Sequence, residues 1–275
     1  MHRRVIALLI AVLALNFLSF AQGNLLITPT RVVFEGTKQR EELNLVNIGN
    51  DTAVYSISFL QYDMREDGSF ITLEESDSGH MFADPYLRIF PRTVTLAPRE
   101  PQVIMLQCRR KPDMKTGEYR SHLYFRAEKN PEPLGLQNAS SDTSSLKVQL
   151  IPIFGLSIPI IIRSGEVSVS SSLSDLKLET KPDSMQFLNL SINRNGNISV
   201  YGDLSVQFIP QHGKPYEIGS VKGIGVYTNI HKRSTSIKLN SPTAELLESG
   251  KIKVQYSSGS ETKHIVYGEA ELDVP

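Results

Sequence analysis

The stretch that most constrains this chain is residues 145–162, where an alternating pattern leads into an almost continuous apolar run. Leu146, Val148 and Leu150 fall on one face of an extended strand, with polar residues between them, because successive side chains of a strand point to opposite faces. From residue 151 onward both faces are mostly apolar. This pattern predicts a strand that runs into a buried core.

Two prolines, Pro152 and Pro159, interrupt this stretch. Proline cannot donate a hydrogen bond to a neighbouring strand, so part of the strand is expected at the edge of a sheet. A long apolar edge strand promotes aggregation and is normally protected. The sequence therefore predicts a strand that is either covered by its own chain or kept for a partner.

The chain is long enough for two domains. It has 275 residues, of which 40% are hydrophobic, and a formal net charge of zero, so each domain can bury a core. The balanced charge argues against nucleic acid or an anionic membrane surface as the main partner. Short strand-like segments at regular spacing, without helical periodicity, predict an all-β fold of two sandwiches over residues 22–163 and 164–275.

The first 21 residues have the pattern of an export signal. A basic start precedes an apolar run from Val5 to Phe20, and Ser19 and Ala21 are the small residues that a signal peptidase requires. The run is shorter than the roughly 20 residues of a membrane-spanning helix. We therefore expect cleavage after Ala21, export, and no stable membrane insertion of the mature chain.

Motifs for catalysis or metal binding are missing from the sequence. The six histidines are scattered without metal-ligand spacing, and no nucleophile elbow, phosphate loop or dinucleotide fingerprint occurs. His122 is interpreted as an outward-facing polar residue of a strand, Gly223-Ile224-Gly225 as a turn, and the lone Cys108 as a core residue. We expect no enzymatic activity, no cofactor and no metal.

Four segments resemble the periplasmic pilus-assembly chaperones of the chaperone–usher pathway. They are residues 27–36, 45–50, 90–100 and 119–125, and their order and spacing match that family across residues 24–163. The second domain is similar only in size and β-character. The resemblance implies two immunoglobulin-like domains in a boomerang arrangement and a periplasmic location. It also implies two partners: a pilus subunit with an incomplete immunoglobulin-like fold, and an outer-membrane usher that receives it.

The resemblance also implies which residues bind the subunit. Leu146, Val148 and Leu150 would be donated to it as part of an added strand. Arg31 stands where the family has a cleft arginine that holds the subunit's C-terminal carboxylate. The second cleft cation of the family, a lysine, has no counterpart, because Pro159 occupies about its position and Arg163 would replace it only in a different register.

Two other interpretations fit the same residues. The protein could be a two-domain surface or fibre component, or a module that binds glycan or protein, with the apolar strand in its own core and Arg31 an exposed strand residue. It could also be a member of the family that scaffolds or regulates without capping a subunit.

Overall fold

The structure is a computed structural model, and it describes residues 25–73, 79–128, 154–182, 185–240, 247, 249–259 and 264–274. The predicted signal and the predicted donor residues Leu146, Val148 and Leu150 lie outside the described residues. The described residues contain one turn of 3-10 helix, Asp84–Tyr86, and no helix with the length and hydrophobicity that crossing a membrane requires.

Ten strands form a first β-sandwich. They are β1 Leu25–Thr28, β2 Val32–Phe34, β3 Arg40–Asn47, β4 Ala53–Met64, β5 Phe70–Leu73, β6 Leu87–Phe90, β7 Thr93–Leu96, β8 Pro101–Cys108, β9 Gly117–Ala127 and β10 Gly155–Ser164. One sheet has the order β1-β3-β8-β6, and the other has the order β2-β10-β9-β4-β5, with β7 also paired to β4. Alternate residues of both sheets fill one core, as the period of two requires.

Seven further strands form a second β-sandwich with a separate core. They are β11 Val169–Thr180, β12 Gln186–Gly196, β13 Val200–Pro210, β14 Tyr216–Val226, β15 Lys232–Lys238, β16 Gly250–Ser257 and β17 Val266–Val274. The sheets have the orders β11-β12-β15 and β14-β13-β16-β17. The predicted all-β fold of two sandwiches is confirmed, while the exact domain limits stay a prediction.

Strand β10 has two differently paired halves. Its whole length pairs antiparallel with β9, and Ile160–Ile162 also pairs parallel with β2. Gly155–Pro159 pairs with β9 alone in the part of the chain that the structure describes. We call Gly155–Pro159 the free edge.

The predicted turn at Gly223-Ile224-Gly225 is wrong, because these residues belong to β14. The pairing of β13 with β14 shifts between Gly202 and Leu204, and the Gly223 amide donates to the Asp203 carboxylate at 2.9 Å. The glycines therefore mark a β-bulge that lets one strand continue where two segments were expected.

A candidate partner-binding cleft

The outward face of β9 is buried, although it lies outside the core of the first sandwich. Its even-numbered residues include Glu118, Arg120 and His122, which alternate with residues of that core. Glu118 is only 2% exposed and His122 only 4%. Ser199, directly before β13, and Tyr227, directly after β14, contact them, so this face of β9 forms part of the contact between the two sandwiches.

Glu118 is the centre of this contact. Its carboxylate accepts hydrogen bonds from Arg120 Nη2 at 2.5 Å, and from the Ser199 amide at 3.1 Å and hydroxyl at 2.9 Å. Burial opposes ionisation of Glu118, but Arg120 and Ser199 outweigh it and hold its pKa below the usual value. A charged glutamate of the first sandwich is thus bonded to the backbone of the second.

His122 lies beside Glu118 in an aromatic surrounding. Its Nε2 is 3.0 Å from the Tyr227 hydroxyl, and its ring lies edge-on to Tyr62 with 4.8 Å between centroids. Burial, followed by the charge of Arg120, lowers the pKa of His122 to about 3. The side chain points outward as predicted but is buried, because a second sandwich covers it. No group of side chains that suits a metal ion occurs among the described residues.

Arg31, the cleft arginine implied by the resemblance, lies directly before β2. Its guanidinium packs over the ring of Tyr201 from the second sandwich, 4.6 Å from the centroid. Its Nη2 is buried and has no hydrogen-bond partner. Burial lowers the pKa of Arg31, and the positive charge of Arg120 lowers it further. Arg31 is therefore a half-buried cation whose buried Nη2 has no hydrogen-bond acceptor.

Two more arginines stand close enough to act on Arg31 electrostatically, Arg120 and Arg163. Arg120 stacks on Tyr227, with its guanidinium carbon 3.6 Å from the ring centroid. Arg163 Nη1 donates to the Glu35 carboxylate at 2.9 Å. We call Arg31, Arg120 and Arg163 the arginine cluster.

The sequence did not predict Arg120, Tyr201 or Tyr227 as site residues. Arg120 lies on β9, the strand next to the one in which Pro159 occupies about the position of the absent lysine. One signal was present: Glu118, Arg120 and His122 occupy alternate positions of one strand, which is a polar row on a face that was assumed to be solvated.

An apolar row on β10 extends beyond the core. Phe154, Leu156, Ile158 and Ile160 share one face of the strand. Ile158 and Ile160 are buried in the core at 2% and 0% exposure, whereas Leu156 is 40% and Phe154 is 45% exposed. The row therefore leaves the sandwich along the free edge.

Arg31 lies at the Pro159 end of the free edge, directly before β2. Val32, the first residue of β2, pairs with Ile160, so Arg31 precedes the point at which β2 starts to cover β10. A strand placed on the free edge in line with β2, and running in the same direction, would have its carboxyl end at Arg31. The free edge thus leads to Arg31, which belongs to the arginine cluster.

Comparison with known proteins identified similar structures but no sequence relatives. No family model matches the chain, and no curated protein matches it. The YadV chaperone is similar at 14% identity and a TM-score of 0.45, over 92% of this chain and 100% of that one.

Two further solved structures are similar to the same extent. The CupB2 chaperone of Pseudomonas aeruginosa matches at 10% identity and a TM-score of 0.44, over 91% of this chain and 100% of that one. The CsuC–CsuE chaperone–tip adhesion subunit pre-assembly complex of Acinetobacter baumannii matches at 13% identity and a TM-score of 0.44, over 90% of this chain and 99% of that one. These likenesses assign no function to this chain. They are likenesses to solved structures of pilus chaperones, and the sequence resembles the same family.

Proposed function

We propose that this protein is a non-catalytic periplasmic chaperone that binds pilus subunits with an incomplete immunoglobulin-like sandwich. It completes the subunit by adding a strand and delivers it to an outer-membrane usher. The observation that carries the proposal is the free edge. There, among the described residues, one side of the strand has no pairing strand and an apolar row leaves its own core. Such an edge is the usual template for strand addition.

The side chains that enter the subunit would be Leu146, Val148 and Leu150, together with Leu156. All four have even numbers and so belong to the row that continues into Ile158, if the strand keeps its period of two. Each side chain that is fully buried contributes on the order of 1.5–3 kcal/mol. Several of them, with the hydrogen bonds of an added strand, would keep a subunit from aggregating.

The carboxyl terminus of the subunit would bind at Arg31. The unpartnered Nη2 of Arg31 supports this, because a buried donor is stabilised by a charged acceptor. The register of β2 and β10 supports it too, since a strand parallel to β10 would end there. Arg120 and Arg163 lie close to Arg31, but each is paired with a glutamate, so Arg31 is the cation of the cluster that would bind the carboxylate.

The test is recovery of a subunit in co-expression. The tagged chain is produced together with a pilus subunit that has an incomplete immunoglobulin-like sandwich, and periplasmic extracts are purified on the tag. We expect Val148→Asp combined with Leu150→Asp, and separately Leu156→Asp, to leave the chaperone folded. The double variant would lose about 3 kcal/mol or more of binding, which lowers affinity about a hundredfold.

Val103→Asp is the matched control. Val103 is 47% exposed, comparable to Leu156, but lies on β8 in the other sheet. It should leave recovery unchanged. Equal recovery with wild type, with the Val148→Asp/Leu150→Asp double variant and with Leu156→Asp would contradict strand donation. Finding the chain itself in purified fibres would favour a fibre component instead.

A further inference from the structure

We propose that Tyr201 is a positioning residue. Its ring holds the Arg31 guanidinium in an orientation in which the N–H donors remain available to a monoanion, so that the second sandwich takes part in ligand binding. The inference rests on the proposed function only for the identity of the natural ligand, a carboxyl terminus. Its structural basis is the contact between Tyr201 and Arg31 and the way in which Tyr201 itself is held.

Two glycines of β14, Gly223 and Gly225, contact the side chain of Tyr201. A Cβ at Gly223 would lie 2.8 Å from the Tyr201 hydroxyl oxygen, and a Cβ at Gly225 would lie 3.5 Å from its Cδ2. Gly223 also has φ +72°, which side chains rarely adopt. The Tyr201 side chain therefore lies close to the glycine backbone of β14, and its ring also lies under the guanidinium of Arg31.

The stack leaves the hydrogen-bonding edge of Arg31 available. A guanidinium presents its donors in its own plane, so an aromatic ring can cover one face without using them. The buried Nη2 without a partner agrees with this. Tyr201 thus supports Arg31 without neutralising it.

The other two arginines of the cluster are already neutralised. Arg120 pairs with Glu118 at 2.5 Å, and Arg163 pairs with Glu35 at 2.9 Å. Among the described residues Arg31 takes part in no salt bridge. Glu118 also lies 3.7 Å from Arg163 and acts on Arg194. Of the three arginines of the cluster, Arg31 is therefore the one without a salt-bridge partner, and a monoanion such as a carboxylate would balance its charge.

The role of Tyr201 follows from the charges that act on Arg31. The negative charge of Glu118 acts on Arg31, but the positive charge of Arg120 acts on it more strongly and in the opposite sense. No ion pair therefore fixes the orientation of the Arg31 guanidinium. In our proposal the ring of Tyr201 does so, by holding the guanidinium against the second sandwich.

The test uses acetate as the probe and the full mature chain as the protein. Arginine is labelled with ¹⁵N, and the Arg31 Nε–Hε signal, assigned with Arg31→Lys, is followed by NMR during titration with sodium acetate at constant ionic strength. We expect saturable shifts in wild type, affinity weakened about tenfold or more in Tyr201→Ala, and affinity near wild type in Tyr201→Phe, which keeps the ring.

Tyr267→Ala is the control for loss of a tyrosine from the second sandwich. The Tyr267 ring packs on Tyr256, and its loss should leave acetate binding unchanged. Melting temperatures recorded for each variant identify any that fail to fold. If Tyr201→Ala fails to fold, Tyr201→Phe is compared with the milder Tyr201→Leu, and Tyr201→Leu should bind acetate weakly.

Three results would overturn the proposal: no saturable shift in wild type, unchanged affinity in both Tyr201→Ala and Tyr201→Leu, or loss of binding in Tyr201→Phe. None of these involves a subunit. Failure here would therefore leave strand donation standing, and failure of subunit recovery would leave the anion site standing.

Discussion

At the scale of single residues, His122 occupies a site that accepts only the neutral imidazole. The ring lies between Tyr62 and Tyr227, and Arg120 is the charged side chain that acts on it. Its Nδ1 is buried without a hydrogen-bond partner. A proton there would add charge next to an arginine in a poorly solvated place, so the contact between the sandwiches depends on His122 staying neutral.

This predicts a loss of stability in mild acid. The pKa of His122 is about 3 in the folded protein and about 6.5 in an unfolded chain. Between these values the unfolded state binds a proton that the folded state does not, so stability falls as the pH falls from 6.5 toward 3. From pH 7.5 to 4.5 the free energy of unfolding should drop by about 2–3 kcal/mol from this group, measured by urea denaturation.

His122→Asn should remove most of that pH dependence, whereas His212→Asn, at an exposed position, should keep it. Glu118 does not interfere in this window. Its pKa is depressed in the folded state, so the stability it contributes is lost only below about pH 4.3, where an unfolded glutamate takes up its proton. A slope unchanged in His122→Asn would contradict the assignment.

At the scale of elements, the hairpin of β4 and β5 joins the two sandwiches. The Ser234 amide donates to the Glu66 carbonyl at 2.6 Å, and Asn229 Nδ2 donates to the Met64 carbonyl at 2.7 Å. At the hairpin tip a Cβ on Gly68 would overlap the guanidinium of Arg233. The hairpin thus anchors the first sandwich to the β15 edge of the second.

Gly68→Ala tests this anchor. Gly68 has φ +82°, so alanine costs about 1 kcal/mol in backbone strain. It also displaces Arg233, whose Nη1 donates to the Gly225 carbonyl at 2.5 Å. We expect hydrogen exchange of the Ser234 amide to become about tenfold faster because this part of the contact opens more often.

Gly36→Ala is the matched control for that measurement. Gly36 has φ +55° and nothing within 4 Å of an added Cβ. Alanine at this position therefore introduces the backbone strain without a collision with another side chain. It should lower stability by about 1 kcal/mol and leave exchange at Ser234 unchanged. Equal exchange at Ser234 in both variants would show that the hairpin tip does not hold the sandwiches together.

At the scale of the whole molecule, the two cores are separate but their contact is strongly polar and buried. The side chain of Glu118 is fully buried, and that of Arg120 is 10% exposed. Removing one partner of such a pair leaves the other as an unpaired charge, which typically costs about 3–5 kcal/mol. The two sandwiches are therefore expected to unfold together.

Calorimetry of Glu118→Ala tests this coupling. Wild type should unfold in one cooperative transition, and the variant should unfold in two, because the sandwiches lose the buried charged centre of their contact. Glu271→Ala removes a solvent-exposed ion pair with Lys251 and should leave a single transition, since exposed pairs contribute little. Two transitions in wild type would show that the contact does not couple the cores.

Much of the fold could be predicted from local pattern alone. Strand positions, the two-sandwich division and the edge character of part of β10 follow from period-two alternation and from proline, which act within a few residues. Arg31 was predicted as a site residue only through the resemblance. The donor residues Leu146, Val148 and Leu150 lie outside the described residues and stay a prediction.

The amino-acid sequence by itself determined which side of each strand is apolar, because that pattern is local. Only the tertiary structure decided what happens to the opposite side of β9. Glu118 meets Ser199 across 81 positions of the chain, and His122 meets Tyr227 across 105. A polar row on a strand looks the same in sequence whether water or a second sandwich covers it, since burial depends on where distant segments pack.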